Sequence, residues 1–235
     1  MVSVILPAAG RGKRMQAGVN KVFLRLMGKP ILFHTLRVFA AVPEVQEIIV
    51  VTGAEEVEPL RRALQGLGLF REAAKSVKVV AGGSERQYSV WNGLKASSEA
   101  SDVILVHDAA RPLVSHATIE AVIEAAREHG AAVAAVPEKN TVKIVDAEGL
   151  VVSTPPRKSL WAVQTPQGFK KDILLEANDR AEMEGFLGTD DASLVERLGR
   201  PVKVVEGDYR NIKITTPEDM VTAEAFLRQM EEEEA

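Results

Sequence analysis

The chain begins with VSVILPAAGRGKRM, residues 2–15, in which a short apolar run leads directly into a loop of small residues. The run Val2–Leu6 has the length and composition of a buried strand. Gly10 and Gly12 lack a Cβ atom, so the loop can turn tightly and bring its backbone N–H groups against anionic oxygens. Four cations accompany the loop: Arg11, Lys13, Arg14 and Lys21. The stretch therefore predicts a strand followed by a loop that binds a polyphosphate.

The loop matches neither of the two most familiar phosphate-binding motifs. A P-loop requires Ser or Thr after Gly12-Lys13, where this chain has Arg14. The dinucleotide fingerprint requires a further glycine where this chain has Met15. An ordinary strand-to-helix turn that carries surface cations is the alternative interpretation.

Length and composition favour a single α/β domain spanning residues 1–235. The absence of cysteine excludes disulfides, zinc–thiolate sites and thiol catalysis. A formal net charge of -4 and an aromatic content of 5% argue against nucleic-acid binding. We find no secretory signal peptide and no apolar run near the ~18 residues of a membrane span, so we expect a soluble, cytoplasmic protein without a membrane partner.

Short apolar runs recur along the chain and alternate with segments of helical periodicity. The runs are Val2–Leu6, Ile48–Thr52, Val77–Ala81, Val103–His107, Ala132–Val136, Val202–Val205 and Ile212–Thr215. Residues Ile31–Phe39 and Ile119–Ala126 repeat apolar side chains at helical spacing, the second after the predicted N-cap Ser115. The pattern predicts an α/β fold with a single Rossmann-like, mostly parallel sheet and helices on both faces. Ligands of such sheets bind at the carboxyl ends of the strands.

One segment has a different pattern. Residues 141–145 and 150–154 alternate apolar and polar side chains and flank the turn sequence at 146–149. This pattern predicts a protruding β-hairpin. Because a two-stranded hairpin is marginally stable alone, we expect a second subunit to cover it.

Polar residues follow two of the predicted strands. Asp108 comes directly after Val103–His107 and could hold Mg²⁺ or a ribose hydroxyl, while Arg111 could bind phosphate in a bidentate manner. An Asp–Arg ion pair is the alternative, and His107 is predicted to be a packing residue. Gly83 lies in a glycine pair after Val77–Ala81 that could approach a flat base, although it could equally form a plain turn. Ser89 is a candidate hydroxyl contact or capping residue.

Three candidates lie in the second half of the chain. Arg157 follows two prolines that would fix its reach, unless it is simply a solvent-facing cation. Thr165 lies in the extended stretch 164–167, where its hydroxyl could meet a phosphate. Thr189 precedes a predicted helix N-terminus and could contact a ligand or only belong to the cap.

Lys213 lies inside the apolar run Ile212–Thr215. A lysine there is costly unless its ammonium group meets an anion or extends to solvent, and Asp208 is a candidate partner or metal ligand. The sequence has four histidines, no thiol, and no Ser–His–Asp or metalloprotease motif. A site dense in Arg and Lys instead favours phosphoryl or nucleotidyl transfer by positioning and charge stabilisation.

At this point the motifs support a resemblance. Residues 8–15, Lys21 and 28–30 are similar to the nucleotidyltransferase superfamily. The combination of 106–112, 156–157, 165–167 and 211–213 resembles the narrower family of 2-C-methyl-D-erythritol 4-phosphate cytidylyltransferases. The resemblance covers nearly the whole chain. It implies that CTP reacts with 2-C-methyl-D-erythritol 4-phosphate, with Mg²⁺ as cofactor, to give the CDP-linked alcohol and pyrophosphate in non-mevalonate isoprenoid biosynthesis.

The resemblance also implies roles for individual residues. Arg14 and Lys21 would stabilise charge on the reacting phosphorus and the leaving pyrophosphate. Arg157, from the partner subunit's arm, and Lys213 would hold the attacking phosphate. The residues implied to bind CTP are Ala8, Ala9, Gly10, Gly12, Gly83, Ser89 and Asp108, and those implied to line the polyol phosphate are Arg111, Thr141, Thr165 and Thr189. Asp108 would also help to hold the metal, and the hairpin 141–154 would be the arm of a homodimer.

Two residues depart from the family pattern, and three other functions remain open. Asn20 stands where related enzymes usually have proline, and Ser84 stands where an acidic residue is frequent. A ribitol 5-phosphate cytidylyltransferase has the same chemistry with a different polyol, although Ala109-Ala110 favours the methylerythritol enzyme. A sugar-phosphate uridylyl- or guanylyltransferase shares only the first loop. A non-catalytic nucleotide-binding module needs fewer placed cations than this chain has.

Overall fold

The computed structural model describes residues 1–10, 20–66 and 75–233. The strands in these ranges are numbered in chain order: β1 Val2–Pro7, β2 Arg25–Leu26, β3 Lys29–Pro30, β4 Val45–Thr52, β5 Ser76–Ala81, β6 Val103–Val106, β7 Ala131–Pro137, β8 Ile144–Val145, β9 Val151–Ser153, β10 Trp161–Lys170 and β11 Lys203–Glu206. Seven of them form one sheet in the order β11-β7-β10-β6-β1-β4-β5. Only β10 runs antiparallel to its neighbours in this sheet. The predicted mostly parallel sheet is confirmed.

Helices cover both faces of this sheet. The helices in the described ranges are α1 Ile31–Ala41, α2 Val57–Gln65, α3 Arg86–Ala96, α4 His116–His129, α5 Lys171–Glu184, α6 Asp191–Arg197 and α7 Pro217–Glu233. Helices α1, α2 and α4 pack on one face, and α3, α5 and α6 pack on the other. The two predicted helices are confirmed as α1 and α4, and the Ser115 hydroxyl caps α4 by accepting the Thr118 N–H at 3.2 Å. Because helices cover both faces of the sheet, the central strands are buried on both sides, and their sequences are therefore continuous apolar runs.

The predicted strand Ile212–Thr215 is wrong. Residues 211–215 form an extended loop without ladder pairing, and the Ile214 N–H donates to the Ala110 carbonyl at 2.9 Å. Ile214 is fully buried in a small third core with Leu26, Ile31 and Ala223 of α7, and Ile212 packs against it. The alternating apolar side chains that predict a strand instead pack a loop against the third core.

Strand β10 extends well beyond the stretch that the sequence marked as extended. Gln164, Thr165 and Gln167 are buried between β6 and β7. The two glutamines are hydrogen-bonded there, with Gln164 Nε2 donating to the Asp208 carbonyl at 2.9 Å and Gln167 Nε2 to Asp190 Oδ2 at 2.7 Å. Burying a polar side chain costs little free energy when it has a hydrogen-bond partner. Strand β10 can therefore lie in the interior of the sheet although its sequence has no continuous apolar run.

The predicted hairpin is confirmed, with shorter strands than expected. Strands β8 and β9 pair around a turn in which Asp146 Oδ1 accepts the Leu150 N–H at 2.8 Å and Gly149 has a φ of 84°. Its apolar side chains face outward, and Leu150 and Val152 are each 65% exposed. Among the described residues, no helix combines the length and the apolar character needed to cross a bilayer.

Candidate active site

The motifs singled out in the sequence meet at one edge of the sheet. Strands β1, β4, β5 and β6 run parallel, so the residues that follow each of them lie at the same edge. A cleft of about 410 Å³ opens there. Its lining includes most of the predicted site residues in the described ranges: Ala8, Ala9, Gly10, Lys21, Gly83, Ser89, Asp108 and Lys213.

Asp108 lies at the centre of a group of cations. Its carboxylate is 2.8 Å from Nζ of Lys213, 3.5 Å from Nε of Arg111 and 3.6 Å from Nε of Arg86. The side chain of Asp108 is only 11% exposed, so these charges interact with little screening. The Asp–Arg ion pair that the sequence offered as an alternative is therefore present, and Lys213 joins it. The predicted partner of Lys213, Asp208, instead pairs with Arg210.

The charges around Asp108 determine its protonation. Burial alone would raise the pKa of this carboxyl, but Lys213 and Arg86 outweigh burial and hold the pKa far below its usual range. For the Arg111 guanidinium, burial lowers the pKa, and the neighbouring Asp108 carboxylate offsets this only in part. Asp108 is thus a carboxylate at every physiological pH, as a metal ligand or a cation anchor must be.

Lys21 contacts the loop 211–215, which carries Lys213. Its Nζ atom donates to the carbonyl of Ile214 at 2.8 Å, one residue from Lys213. The preceding residue, Asn20, fixes this position by donating from Nδ2 to the Ala8 carbonyl at 2.5 Å and to Glu56 at 3.2 Å. Asn20 thus has a structural role at the position where related enzymes usually have proline.

The glycine pair after β5 packs tightly on the first loop. A Cβ atom at Gly82 would lie 2.9 Å from Cβ of Ala9 and 2.8 Å from Oγ of Ser89, which is closer than packed atoms allow. The Ser89 hydroxyl accepts the Gly83 N–H at 3.1 Å and donates to the Glu85 carbonyl at 3.0 Å. Glycine at position 82 therefore allows the loop after β5 to pack closely against Ala9, and the Ser89 hydroxyl forms part of the cleft wall.

The remaining predicted residues do not line the cleft. Arg111 and Thr165 lie behind it, where Arg111 contacts Asp108 and the Thr165 hydroxyl accepts the Asp108 N–H at 3.1 Å. Thr141, Arg157 and Thr189 are exposed; Arg157 Nη1 donates to the Lys139 carbonyl at 3.1 Å. Gly12 and Arg14 fall outside the described residues.

Arg86 is a site residue that sequence reasoning missed. It lines the cleft, approaches Asp108 and donates from Nη1 to the buried Asp191 at 2.8 Å. Burial would lower its pKa, but Asp191 and Asp108 outweigh burial and the net shift is upward. No local signal marks it, because its carboxylate partner Asp191 lies 105 positions away in the sequence.

The side chains that line the cleft suit a metal ion that is held mainly by the phosphate groups of a bound substrate. Among the described residues, no group of three or more His, Cys, Asp or Glu side chains is placed to hold an ion. Mg²⁺ characteristically binds one or two carboxylates together with substrate phosphates. Asp108 meets that requirement, since its carboxylate is ionised and lines the cleft.

Comparison with known proteins decides the family. The family model for 2-C-methyl-D-erythritol 4-phosphate cytidylyltransferase matches residues 2–229. The chain belongs to this family. The predicted activity is thereby confirmed as CTP-dependent cytidylyl transfer in isoprenoid biosynthesis.

Individual relatives agree over nearly the full chain. The chain is 52% identical to the 2-C-methyl-D-erythritol 4-phosphate cytidylyltransferase of Geotalea uraniireducens, covering 99% of both chains, and 52% identical to that of Bacillus velezensis, covering 96% and 95%. The crystal structure of the Thermus thermophilus family member is 38% identical, with a TM-score of 0.78 over 96% of this chain and 98% of that one. The 4-diphosphocytidyl-2C-methyl-D-erythritol synthase of Anaerococcus prevotii is 34% identical, with a TM-score of 0.85 over 97% and 98%.

Proposed function

We propose that the cleft binds CTP and that its cations transfer the cytidylyl group to the phosphate of 2-C-methyl-D-erythritol 4-phosphate. The observation that carries this proposal is the convergence of Lys21 and Lys213. Lys21 donates to the carbonyl of Ile214, the residue next to Lys213, and the Lys213 ammonium group lies 2.8 Å from the ionised carboxylate of Asp108. Two cations from distant parts of the chain are thus placed around one cleft.

The reaction is a single displacement in this proposal. A phosphate oxygen of the polyol attacks the α-phosphorus of CTP, and the bond from that phosphorus to the β-phosphate oxygen breaks, so pyrophosphate leaves. The attacking phosphate is already an anion, so no side chain needs to remove a proton, which suits a cleft lined by cations and not by histidine. Stabilisation of charge by preorganised cations supplies the acceleration.

Lys21 and Lys213 have different tasks. Lys21 stabilises negative charge on the reacting phosphorus and the pyrophosphate, together with Arg14, whose role rests on the family resemblance. Lys213 holds the attacking phosphate. For this, Lys213 moves its ammonium group from Asp108 to the phosphate, while Arg86 and Arg111 remain close enough to balance the carboxylate.

The wall of small residues receives the nucleoside. Ala8, Ala9, Gly10 and Gly83 leave the backbone accessible, and the tight contact of Gly82 with Ala9 joins the two loops into one surface. Such a surface lets a flat base and a ribose approach main-chain groups. Mg²⁺, held by the CTP phosphates and by Asp108, would neutralise phosphate charge.

We further propose a homodimer formed through the arm, residues 141–154. Its apolar side chains Ile144, Val145, Leu150, Val151 and Val152 are all at least half exposed in the single chain, and an isolated two-stranded hairpin of that kind is stabilised only by packing on another surface. Arg157 follows the arm and is exposed. In the dimer, Arg157 reaches the cleft of the partner subunit and joins Lys213 on the attacking phosphate, and the exposed Thr141 and Thr189 are candidate contacts to the polyol. A cytoplasmic location is part of the proposal, because CTP is made in that compartment.

Pyrophosphate release tests the proposal against its rivals. With 2-C-methyl-D-erythritol 4-phosphate and Mg²⁺ present, we expect release from CTP at a higher kcat/KM than from UTP or GTP. Release preferred with UTP or GTP would support a uridylyl- or guanylyltransferase. CTP binding without release, with every polyol phosphate offered, would identify a nucleotide-binding module and overturn the proposal.

A further inference from the structure

Two buried polar side chains, His107 and Thr165, lie next to the cleft without lining it. His107 is fully buried and Thr165 is 5% exposed, and neither lines the cleft. His107 was predicted to be a packing residue and Thr165 to contact phosphate. Any effect that they have on the reaction must therefore pass through the residues that they contact.

The hydrogen bonds of His107 define which ring nitrogen carries the proton. Nε2 lies 2.9 Å from the carbonyl oxygen of Arg111. A carbonyl oxygen only accepts, so Nε2 must carry a hydrogen. Because the ring is fully buried and both of its hydrogen-bond partners are uncharged, the neutral form is favoured, and Nδ1 is left as an acceptor.

The tautomer of His107 then fixes the hydroxyl of Thr165. Thr165 Oγ1 lies 3.1 Å from Nδ1 of His107 and also 3.1 Å from the backbone nitrogen of Asp108. The hydroxyl donates to Nδ1 and accepts from the Asp108 N–H. Its only proton is therefore directed away from the cleft.

We propose that His107 and Thr165 are positioning residues: His107, as the Nε2–H tautomer, orients the Thr165 hydroxyl so that it holds the backbone of Asp108 and does not donate to the substrate phosphate. This inference rests on the proposed roles of Asp108 and Lys213. It reassigns Thr165 from a phosphate contact to a support for the carboxylate that anchors Lys213.

The same two residues belong to a closed ring of hydrogen bonds. Asn211 Nδ2 donates to the Thr165 carbonyl at 2.8 Å, and Arg111 Nη1 donates to the Asn211 carbonyl at 2.7 Å. The His107–Arg111 bond completes the ring. It joins the end of β6, strand β10 and the loop that carries Lys213, so it sets the relative position of Asp108 and Lys213.

The tautomer can be measured on the unmodified, ligand-free chain by ¹⁵N NMR of its imidazole nitrogens at neutral pH. A His107→Gln spectrum assigns the signal among the four histidines. We expect a protonated Nε2 and an unprotonated Nδ1 that shifts in Thr165→Val and stays in place in Thr165→Ser. A protonated Nδ1 would overturn the proposal. This readout uses no activity, so it is independent of the proposed function.

Kinetics then separate positioning from direct contact. We expect Thr165→Ser to stay within about twofold of wild type and Thr165→Val to lower kcat by roughly 10- to 100-fold, as outer-shell changes commonly do, with KM for the polyol phosphate nearly unchanged. Combining Thr165→Val with His107→Gln should cost little more than the larger single loss, because the two act through one contact. A rise in KM for the polyol phosphate with normal kcat, or additive losses, would contradict the proposal.

Discussion

Lys213 and Asp108 form an ion pair at 2.8 Å across the cleft, in a position where the lysine is 39% exposed and the carboxylate only 11%. The carboxylate is therefore the buried member of the pair, and the lysine is the member that solvent and ligands can reach. Arg86 and Arg111 approach the same carboxylate, so Asp108 keeps cationic neighbours when Lys213 moves. Lys213 can thus exchange this partner for a substrate phosphate without leaving a buried charge uncompensated.

Replacing Lys213 should therefore affect the reaction more than nucleotide binding. We expect Lys213→Ala to lower kcat by roughly 10²- to 10³-fold, the usual cost of one transition-state charge contact, and to leave the Kd for CTP within about threefold. Steady-state kinetics and calorimetric titration measure the two quantities. Lys203→Ala, at an exposed position on β11, is the matched control. Unchanged turnover in Lys213→Ala would refute its role.

Asn20 should control how Lys21 and Ala8 are placed. Its amide donates to the Ala8 carbonyl at 2.5 Å and to Glu56 at 3.2 Å, so Asn20→Ala releases the first loop from its anchor. We expect KM for CTP to rise about tenfold, since a lost hydrogen bond to a charged partner costs on the order of 1.5 kcal/mol. Gln229→Ala, on the exposed face of α7, should leave KM unchanged. Equal KM values in the two variants would show that Asn20 has no such role.

The sequence predicts the position of a site residue when that residue closely follows a recognisable strand or lies in a recognisable apolar segment. Ala8, Gly83 and Asp108 each lie one or two residues after the end of a strand of the central sheet, and parallel strands end at the same edge. The sequence shows Lys213 as a cation in an apolar run, and the structure places that run in a loop packed on the third core. The apolar neighbours of Lys213 indicate an anionic partner, for which the sequence offers Asp208; the fold shows that the partner is Asp108.

Other features depend on contacts that no local pattern contains. Arg86 matters because Asp191 approaches it from a different helix. Strand β10 is polar at Gln164 and Gln167, and its burial depends on partners in distant loops. The Thr165 hydroxyl is directed by His107, 58 positions away. Tertiary hydrogen bonds of this kind override the local preferences from which the sequence was interpreted.

Stability should depend on the titration of His107. Burial lowers the pKa of His107 to about 4 in the folded state, whereas the unfolded value is about 6.5. The unfolded chain therefore binds more protons between these values, and the contribution of the neutral ring is complete above about pH 6.5 and is lost as the pH falls toward 4.

Urea unfolding at pH 7.5 and pH 4.5 measures this effect. We expect wild type to lose roughly 2 to 3 kcal/mol more than His107→Gln over this interval. The other buried histidine with a lowered pKa, His34, is present in both proteins and cancels. Parallel pH profiles for the two proteins would contradict the expectation.

The proposed dimer predicts that a charge in the arm abolishes both association and activity. Leu150 and Val152 are each 65% exposed in the single chain, and the proposal buries them between subunits. Leu150→Asp should therefore give a monomer in sedimentation velocity, whereas Glu148→Gln in the same turn should remain a dimer. A fully active monomer would contradict the role of the arm.

Mixing two inactive variants tests whether Arg157 acts across the dimer. In a heterodimer of Arg157→Ala and Lys213→Ala, one cleft would hold Lys213 of its own chain together with Arg157 of the partner subunit. After random exchange of subunits, about a quarter of all clefts should be intact, and that fraction of wild-type activity should return. No recovery after confirmed exchange would show that Arg157 acts within its own chain.

The choice of acceptor tests the central claim most directly. We would measure kcat/KM for pyrophosphate release from CTP with 2-C-methyl-D-erythritol 4-phosphate and with ribitol 5-phosphate, under identical Mg²⁺ conditions. The account predicts that 2-C-methyl-D-erythritol 4-phosphate is the better acceptor by at least about a hundredfold, which lies within the range that a site hydrogen-bonding its substrate can reach. A higher kcat/KM for ribitol 5-phosphate would contradict it.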